Sequence, residues 1–365
     1  MTGPFAFPLI EIEGDARARG LSYGRAAADR IGAGLEIYRP ILASAGLEWD
    51  AALRIARRFI DQLFGFDAAQ AEELRAIAEG AGLRPEEVMV VNARTDLLYG
   101  AQGETEALDD GCTGAVALPQ VTGDGHLIHA QNWDWRDDCK RSVVIVKNRP
   151  IDGPATLNLM EAGTLARCGL NAHGLALTAN FLRCDHDPQP GGVPSPFVRR
   201  RALGARDLAS AARILLAAPR SFSNNLMLSD DAGLALDLET TPREAHWIKP
   251  EAGLLVHANH FTSPGARARL HDTGLHVTPD SLDREDRMRE ALARQSGAIT
   301  IDTMCRALAD DFAAPASVNR PPTPGPGGEN VSTVASIVMD VTGRTMTVVP
   351  TPYENAESTT YTLET

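Results

Sequence analysis

The sequence predicts a layered α+β protein, and two observations carry that expectation. Apolar residues recur at helical spacing through the first hundred residues. After residue 112 the pattern changes to the alternation of strands, with helices grouped between the strand runs. Grouping of this kind differs from the regular βαβ alternation of a parallel sheet. The 365 residues give one large domain or two smaller ones, with an ordinary 44% apolar and 23% charged composition. A net charge of −13 repels phosphate backbones and anionic lipid, so neither nucleic acid nor a membrane surface is an expected partner. No apolar run approaches the length of a membrane span. The opening Met1 to Pro8 has two prolines and no basic residue, unlike a secretory signal. Five cysteines (Cys112, Cys139, Cys168, Cys184, Cys305), odd in number and irregularly spaced, suit a reducing compartment, so the expected location is cytoplasmic. No Cys-x-x-Cys occurs, and neither a structural zinc nor another metal is expected.

Leu9 to Glu13 alternates and reads as an opening strand. Leu21, Ala28, Ile31, Leu35, Tyr38 and Leu42 then mark a helix. Leu53, Ala56, Ile60 and Leu63 mark a second, and Leu74, Ile77, Ala78 and Ala81 a third. A fourth opens at Pro85-Glu86-Glu87, with proline at the first helical position and acidic residues at the positive dipole end. Its inner stripe is Val88, Val91, Thr95 and Leu98, and Gly100 to Asp110 follows as a polar linker of the kind that is easily cut. Gly20-Leu21-Ser22-Tyr23-Gly24 satisfies the G-x-S-x-G hydrolase pattern. That motif needs its serine on a sharp turn after a strand, whereas Ser22 lies inside a helical repeat.

Beyond Cys112, Ala115 to Leu118 and His126 to Asn132 read as a hairpin around Thr122-Gly123-Asp124-Gly125. Val143 to Lys147, Thr156 to Met160 and Leu175 to Asn180 read as strands. Asp231-Ala232-Gly233 and Asp340 to Gly343 read as hairpin turns, and Leu254 to His257 leads into Ala258-Asn259-His260-Phe261. Leu208, Ala211, Ala212, Leu215 and Leu216 form a helical stripe. Ile301, Met304, Cys305 and Leu308 form another, which makes Cys305 a core residue. Two loops rich in Pro and Gly, Cys184 to Pro196 and Ala313 to Asn330, are long enough to be functional lids. Arg199-Arg200-Arg201 opens a helix and reads first as a solvated face, with a grip on a carboxylate or a coenzyme A phosphate as the alternative. His257 and His260, on one strand, would face opposite sides.

The junction Asp109-Asp110-Gly111-Cys112-Thr113 separates the two halves. By itself it has two readings: a surface turn followed by a small core thiol, or a bond at which the chain cuts itself. Cleavage before Cys112 would give one residue both a thiol nucleophile and an α-amine base. Such a nucleophile needs oxyanion donors and a group to hold the amine. The strand ends Gln131-Asn132-Trp133-Asp134 and Ala258-Asn259-His260-Phe261 offer candidates.

These segments, with Gly111-Cys112-Thr113, Gly169-Leu170-Asn171, Leu177 to Asn180, Leu236 to Glu239 and Thr333 to Asp340, occur in an order that resembles the acyl-coenzyme A:6-aminopenicillanic acid acyltransferase family. This is peptidase family C45, of the N-terminal nucleophile hydrolases. The resemblance spans nearly the whole chain. It implies a four-layer αββα sandwich and a precursor cut between Gly111 and Cys112. A helix-rich fragment 1–111 would stay packed on a sheet-rich fragment 112–365 as one domain. It implies Cys112 as nucleophile, Asp134 as holder of the new α-amine, and Asn259 as oxyanion donor. Asn180 corresponds to an asparagine that faces the oxyanion in the related bile-salt and penicillin V hydrolases. Those relatives carry an arginine where this chain has Gln131-Asn132. The implied activity is a self-processing amidohydrolase or acyltransferase acting on a small-molecule amide or acyl donor. No cofactor is implied, and acyl-coenzyme A stays open as a co-substrate. A coenzyme A-dependent N-acyltransferase and a non-catalytic binder of an acylated metabolite stand as alternatives, and a homo-oligomer is left open.

Overall fold

Asp15 opens the first long helix by accepting a hydrogen bond from the Ala18 N–H, and Ala16–Ser44 (α1) follows. The computed structural model describes residues 6–102, 111–325, 329–354 and 357–364. Trp49–Phe66 (α2), Ala68–Ala81 (α3), Pro85–Asn92 (α4) and Arg94–Gln102 (α5) complete the helices that precede Cys112. The helix expected from Pro85 onward is therefore two, broken at Ala93. Gly100, the expected start of a linker, lies inside α5, and the rest of that expected linker, from residue 103 to 110, lies outside the described residues. Asp109 and Asp110 lie outside the described residues. The glycines of Gly20-Leu21-Ser22-Tyr23-Gly24 serve packing. A Cβ at Gly24 would stand 2.2 Å from the Ile77 carbonyl oxygen, and one at Gly20 would stand 2.5 Å from that of Glu73. Without these glycines α1 and α3 could not approach so closely, and Ser22 faces solvent on α1.

Two sheets make up the rest. The first contains Leu9–Gly14 (β1), Val143–Pro150 (β4), Thr156–Glu161 (β5), Cys168–Asn171 (β6), Leu175–Phe181 (β7), Asn224–Asp230 (β8), Leu234–Thr240 (β9) and Ala245–Ile248 (β10), in the order β1-β4-β5-β6-β7-β8-β9-β10. The second contains Cys112–Ala117 (β2), Ile128–Arg136 (β3), Leu254–His257 (β11), Asn330–Asp340 (β13), Thr345–Pro350 (β14) and Thr359–Thr362 (β15). Its order is β11-β2-β3-β13-β14-β15, and short Thr323–Pro324 (β12) pairs with β13. β1 runs parallel to β4, so a strand that precedes Cys112 is built into a sheet otherwise made of residues that follow it. The hairpin of β2 and β3 starts at Cys112, three residues before the expected start.

The sheets face one another where β2 and β3 meet β7. On the outer side of the eight-stranded sheet, α1 lies over β1 and β4. Ser195–Leu203 (α6) and Leu208–Ala217 (α7) lie over β6 to β9. Pro264–Arg269 (α8) follows β11. Ser281–Ala293 (α9) and Ile301–Leu308 (α10) cover the other sheet through β2, β3, β11 and β13. The layer order is αββα. Of the expected stripe positions, Leu216 is exposed at the edge of its helix, and Cys305, like Thr95, Leu208 and Ile301, is half-buried, Cys305 against the core of α9 and α10. Among the described residues no helix is long and apolar enough to cross a membrane.

Candidate active site

Cys112 is the first residue of β2, an inner strand flanked by β3 and β11, and its side chain is buried. The β2–β3 ladder places it opposite Trp133. One step further out, the Asp134 N–H donates to the Gly111 carbonyl at 2.8 Å. On the other side of the same peptide, the Cys112 N–H donates to Asn259 Oδ1 at 2.7 Å. The Gly111–Cys112 bond is thus gripped at both its oxygen and its nitrogen. Gly111 has no room for a side chain, since a Cβ would stand 2.7 Å from Asp134 Oδ2 and 3.1 Å from Arg320 Cζ.

Asn259 follows the end of β11. Its Oδ1 also accepts from Arg284 Nη2 at 3.0 Å. Two donors on that atom fix the amide orientation and turn Nδ2 toward the Phe181 carbonyl, 3.0 Å away. One Nδ2 hydrogen is used there. Asn180, on β7, differs from its expected part. Its Nδ2 donates to the carbonyls of His257 at 2.9 Å and Ala258 at 2.8 Å, and its Oδ1 accepts from Gln131 Nε2 at 2.7 Å. With both amide hydrogens committed, Asn180 ties the two sheets together beneath Asn259 and has none left for an oxyanion.

Arginines surround the cluster, and the sequence pattern singled out none of the three that touch it. Arg167 Nη2 lies 3.6 Å from Cys112 Sγ, and its Nη1 donates to Gln131 Oε1 at 3.1 Å. Its guanidinium lies over the Trp133 ring, 4.1 Å from the centroid. Arg284, fully buried on α9, donates to the Cys112 carbonyl at 2.8 Å and to Thr113 Oγ1 at 3.0 Å, and pairs with Asp280 at 2.7 Å. Asp280 also pairs with Arg320, which lies 3.2 Å from Asp134 Oδ2. Asp134 Oδ1 accepts from Thr333 Oγ1 at 2.6 Å. Burial works against ionising Asp280, but Arg284 and Arg320 outweigh it and hold the carboxyl below its usual range. An unbroken chain of hydrogen bonds and ion pairs thus runs from Asn259 through Arg284, Asp280 and Arg320 to Asp134. The nearest sequence signals were the Asp280/Arg284 spacing of one helical turn and Thr333 in a strand motif.

Beneath Asn259, His257 Nε2 pairs with Glu239 at 2.9 Å, both fully buried. Burial opposes the charge on His257, yet Asp237 and Glu239 lift it to about 10; burial is likewise overcome at Glu239, which His257 and Ser263 hold down to about 2. His257 and His260 do not face opposite sides, because the strand ends at His257; their rings stack with centroids 6.3 Å apart. The arginine run also differs from a solvated face. Arg199 is half-buried and donates to Asn224 Oδ1 at 3.1 Å, and Arg200 lies 3.6 Å from buried Glu73; Arg201 is the exposed member. Among the described residues there is no cluster of side chains suited to a metal ion.

Two facing sheets between helical layers, with Cys112 heading an inner strand, define the four-layer αββα sandwich of the N-terminal nucleophile hydrolases. Residues 121–351 match the family described as acyl-coenzyme A:6-aminopenicillanic acid acyl-transferase, and the chain belongs to that family. The acyl-coenzyme A:6-aminopenicillanic-acid-acyltransferase 40 kDa form of Emericella nidulans is 29% identical over 279 residues, 76% of this chain and 73% of that protein. Among solved structures, a mutant of the conjugated bile acid hydrolase from Clostridium perfringens superposes with a TM-score of 0.49 at 15% identity, covering 69% of this chain and 92% of that one. Penicillin V acylase from Agrobacterium tumefaciens gives 0.43 at 14% identity, covering 66% and 83%. Family membership makes the chain an enzyme of the amide hydrolase or acyltransferase kind.

Proposed function

We propose that this chain cuts itself between Gly111 and Cys112, and that Cys112 then cleaves or forms non-peptide amide bonds through an acyl-cysteine. The observation that carries this reading is the grip on one peptide bond: the Asp134 N–H on the Gly111 oxygen and Asn259 Oδ1 on the Cys112 nitrogen. In the first step Cys112 Sγ bonds to the Gly111 carbonyl carbon as the C–N bond breaks. The nitrogen takes up the proton that the thiol gives. Water then hydrolyses the thioester, giving fragments 1–111 and 112–365 and leaving Cys112 with a free α-amine.

That amine, with an ordinary pKa of about 7.7–8.0, is partly neutral near pH 7.5 and can accept the thiol proton in later turnovers. Asp134 stands beside Gly111 and is suited to holding its ammonium form. Arg167 puts a positive charge next to the sulfur, where it favours the thiolate. The uncommitted Nδ2 hydrogen of Asn259 is the candidate oxyanion donor, and Asn180 acts as a positioning residue. The substrate is a small-molecule amide. Water as acceptor gives hydrolysis, and an amine gives transfer, with acyl-coenzyme A as one class of acyl donor. No cofactor enters these steps. Intact mass of the purified chain tests the first claim. Two species joining at 111/112 in the wild type, and one full-length species for Cys112→Ala, are expected; an uncut wild type overturns it. Trapping an acyl adduct on Cys112 with a panel of amides tests the second. Partition of that adduct between water and hydroxylamine separates hydrolysis from transfer.

A further inference from the structure

A cleft lined by Asn224, the sheet neighbour of Phe181, is left unused by the steps above. It is partly open, with a cavity volume of about 40 Å³ between Asp96, Val198, Arg199, Phe222 and Leu226. Through Asp96, Ser221 and Phe222 it adjoins an outer, more open space of about 330 Å³, bounded by Phe59 and residues 188–191 of a predicted lid loop. Val193, Val198, Phe222 and Leu226 give the cleft an apolar side, and Thr95, Ser195, Ser221 and Asn224 join the charged groups on the other, the mix of apolar wall and placed polar groups that ligand pockets show.

Arg199 and Arg220 are the cations of the cleft, and of the two Arg199 is the one with a buried N–H left unpartnered among the described residues. Its Nη2 is held by Asn224, but its Nε is buried and has no hydrogen-bond partner. Among the described residues no carboxylate forms an ion pair with Arg199 or Arg167, whereas nearby Arg94 pairs with Glu161 at 3.0 Å. Arg220 also lines the cleft and is committed to the carbonyls of Leu215, Ala218 and Thr241. Burial, with Arg167 and Arg94 close by, pulls the Arg199 guanidinium down to about 9, the response of a cation that lacks a counter-ion. Asp96 does not supply one in full, since burial pushes its carboxyl up to about 7 and leaves much of it protonated near neutrality. A protonated Asp96 is a hydrogen-bond donor to an incoming anion. The cleft is also tied to the reacting centre. Asn224, which holds Arg199, pairs in the sheet with Phe181, whose carbonyl holds Asn259.

We propose that this cleft selects substrates by charge: the amide handled at Cys112 carries an ionised carboxylate, which Arg199 binds while the adjoining carbon chain lies on Val198, Phe222 and Leu226. This rests on the amide chemistry proposed for Cys112, so binding and turnover are tested separately. In the first arm, full-length Cys112→Ala is titrated calorimetrically with glutarate, with valeramide as the neutral match, and with inorganic phosphate. Glutarate is expected to bind at least ten-fold more tightly than valeramide. Arg199→Met should weaken glutarate about 10- to 100-fold, the range for losing a charge-assisted hydrogen bond, while Arg199→Lys keeps part of the affinity. In the second arm, wild-type kcat/KM is compared for glutaryl- and valeryl-p-nitroanilide, and for N-valeryl-γ-aminobutyrate and N-valeryl-butylamine. At least one carboxylate member should lead its neutral match by ten-fold or more. Glutarate binding without cleavage of any amide would overturn the catalytic reading and leave the carboxylate site standing. Equal binding of glutarate and valeramide, or phosphate binding alone, would overturn the carboxylate site. The wild-type comparisons decide this even if Arg199→Met fails to fold.

Discussion

The two asparagines near Cys112 make the contrast at the scale of single residues. Asn259 touches the Gly111–Cys112 peptide, and among the described residues one of its amide hydrogens has no partner; Asn180 spends both of its own on the carbonyls of His257 and Ala258. Asn259→Ala is therefore expected to lower kcat/KM of processed enzyme by about 100- to 1000-fold, the usual effect of losing an oxyanion donor. A loss of only a few-fold in amide turnover would remove Asn259 from that role. Asn180→Ala takes a donor from the buried carbonyls of His257 and Ala258, the second of which keeps His257 Nδ1 at 3.0 Å, and should cost about 1–3 kcal/mol of stability, read from urea denaturation. Gly111→Ala forces a Cβ against Asp134 Oδ2 and is expected to slow self-cleavage, followed as accumulation of full-length chain by mass. The asparagines were visible in sequence motifs. Their different commitments were not, because hydrogen-bond partners belong to other strands.

At the scale of elements, the seam between α1 and α3 rests on backbone proximity. Gly20 and Gly24 on one helix, and Gly80 on the other, leave no space for a Cβ against the facing carbonyls. Gly24→Ala would gain helix propensity, worth about 1 kcal/mol in an exposed helix, but the clash with the Ile77 carbonyl reverses the sign. We expect a net loss of about 1–3 kcal/mol, seen as a lower urea midpoint. The helical periodicity of α1 was plain in the sequence, and so was the misfit of Ser22 to a hydrolase elbow. The reason for the two glycines was not, since it lies in another helix more than fifty residues away.

Across the whole molecule, β1 belongs to the segment before the proposed cut yet hydrogen-bonds to β4 beyond it, so fragment 1–111 should remain bound after processing. Co-elution of both fragments on size exclusion in native buffer, and their separation in denaturant, checks this. The buried His257–Glu239 pair links the sheets' stability to pH. His257 is raised from 6.5 to about 10, so its contribution is complete below pH 6.5 and is lost as pH rises through about 10. Glu239 is lowered from 4.5 to about 2, so its contribution is complete above pH 4.5 and is lost as pH falls through about 2. The pair should stabilise most between pH 4.5 and 6.5. Unfolding free energy is expected to fall more steeply from pH 6.5 to 10 in the wild type than in a His257→Gln/Glu239→Gln double variant. His257→Gln alone should cost about 3–5 kcal/mol at pH 6.5, because it strands a buried carboxylate.

Apolar periodicity alone determined that helices precede Cys112 and that strands dominate after it, because spacing reports directly which face of an element is buried. Motif order identified the family and, with it, pointed to Gly111–Cys112 as the proposed junction and to Asp134, Asn259 and Asn180 as candidate residues. Tertiary structure alone decided what surrounds them. Arg167, Arg284 and Arg320 come from separate elements, and their long side chains find Cys112, Asn259 and Asp134 only once the sheets have packed. The same holds for Arg199, which its helix would turn to water and the neighbouring β8 draws inward. Periodicity carries information about burial; charge pairing depends on which distant elements meet, and that is set by the packing of the whole sandwich.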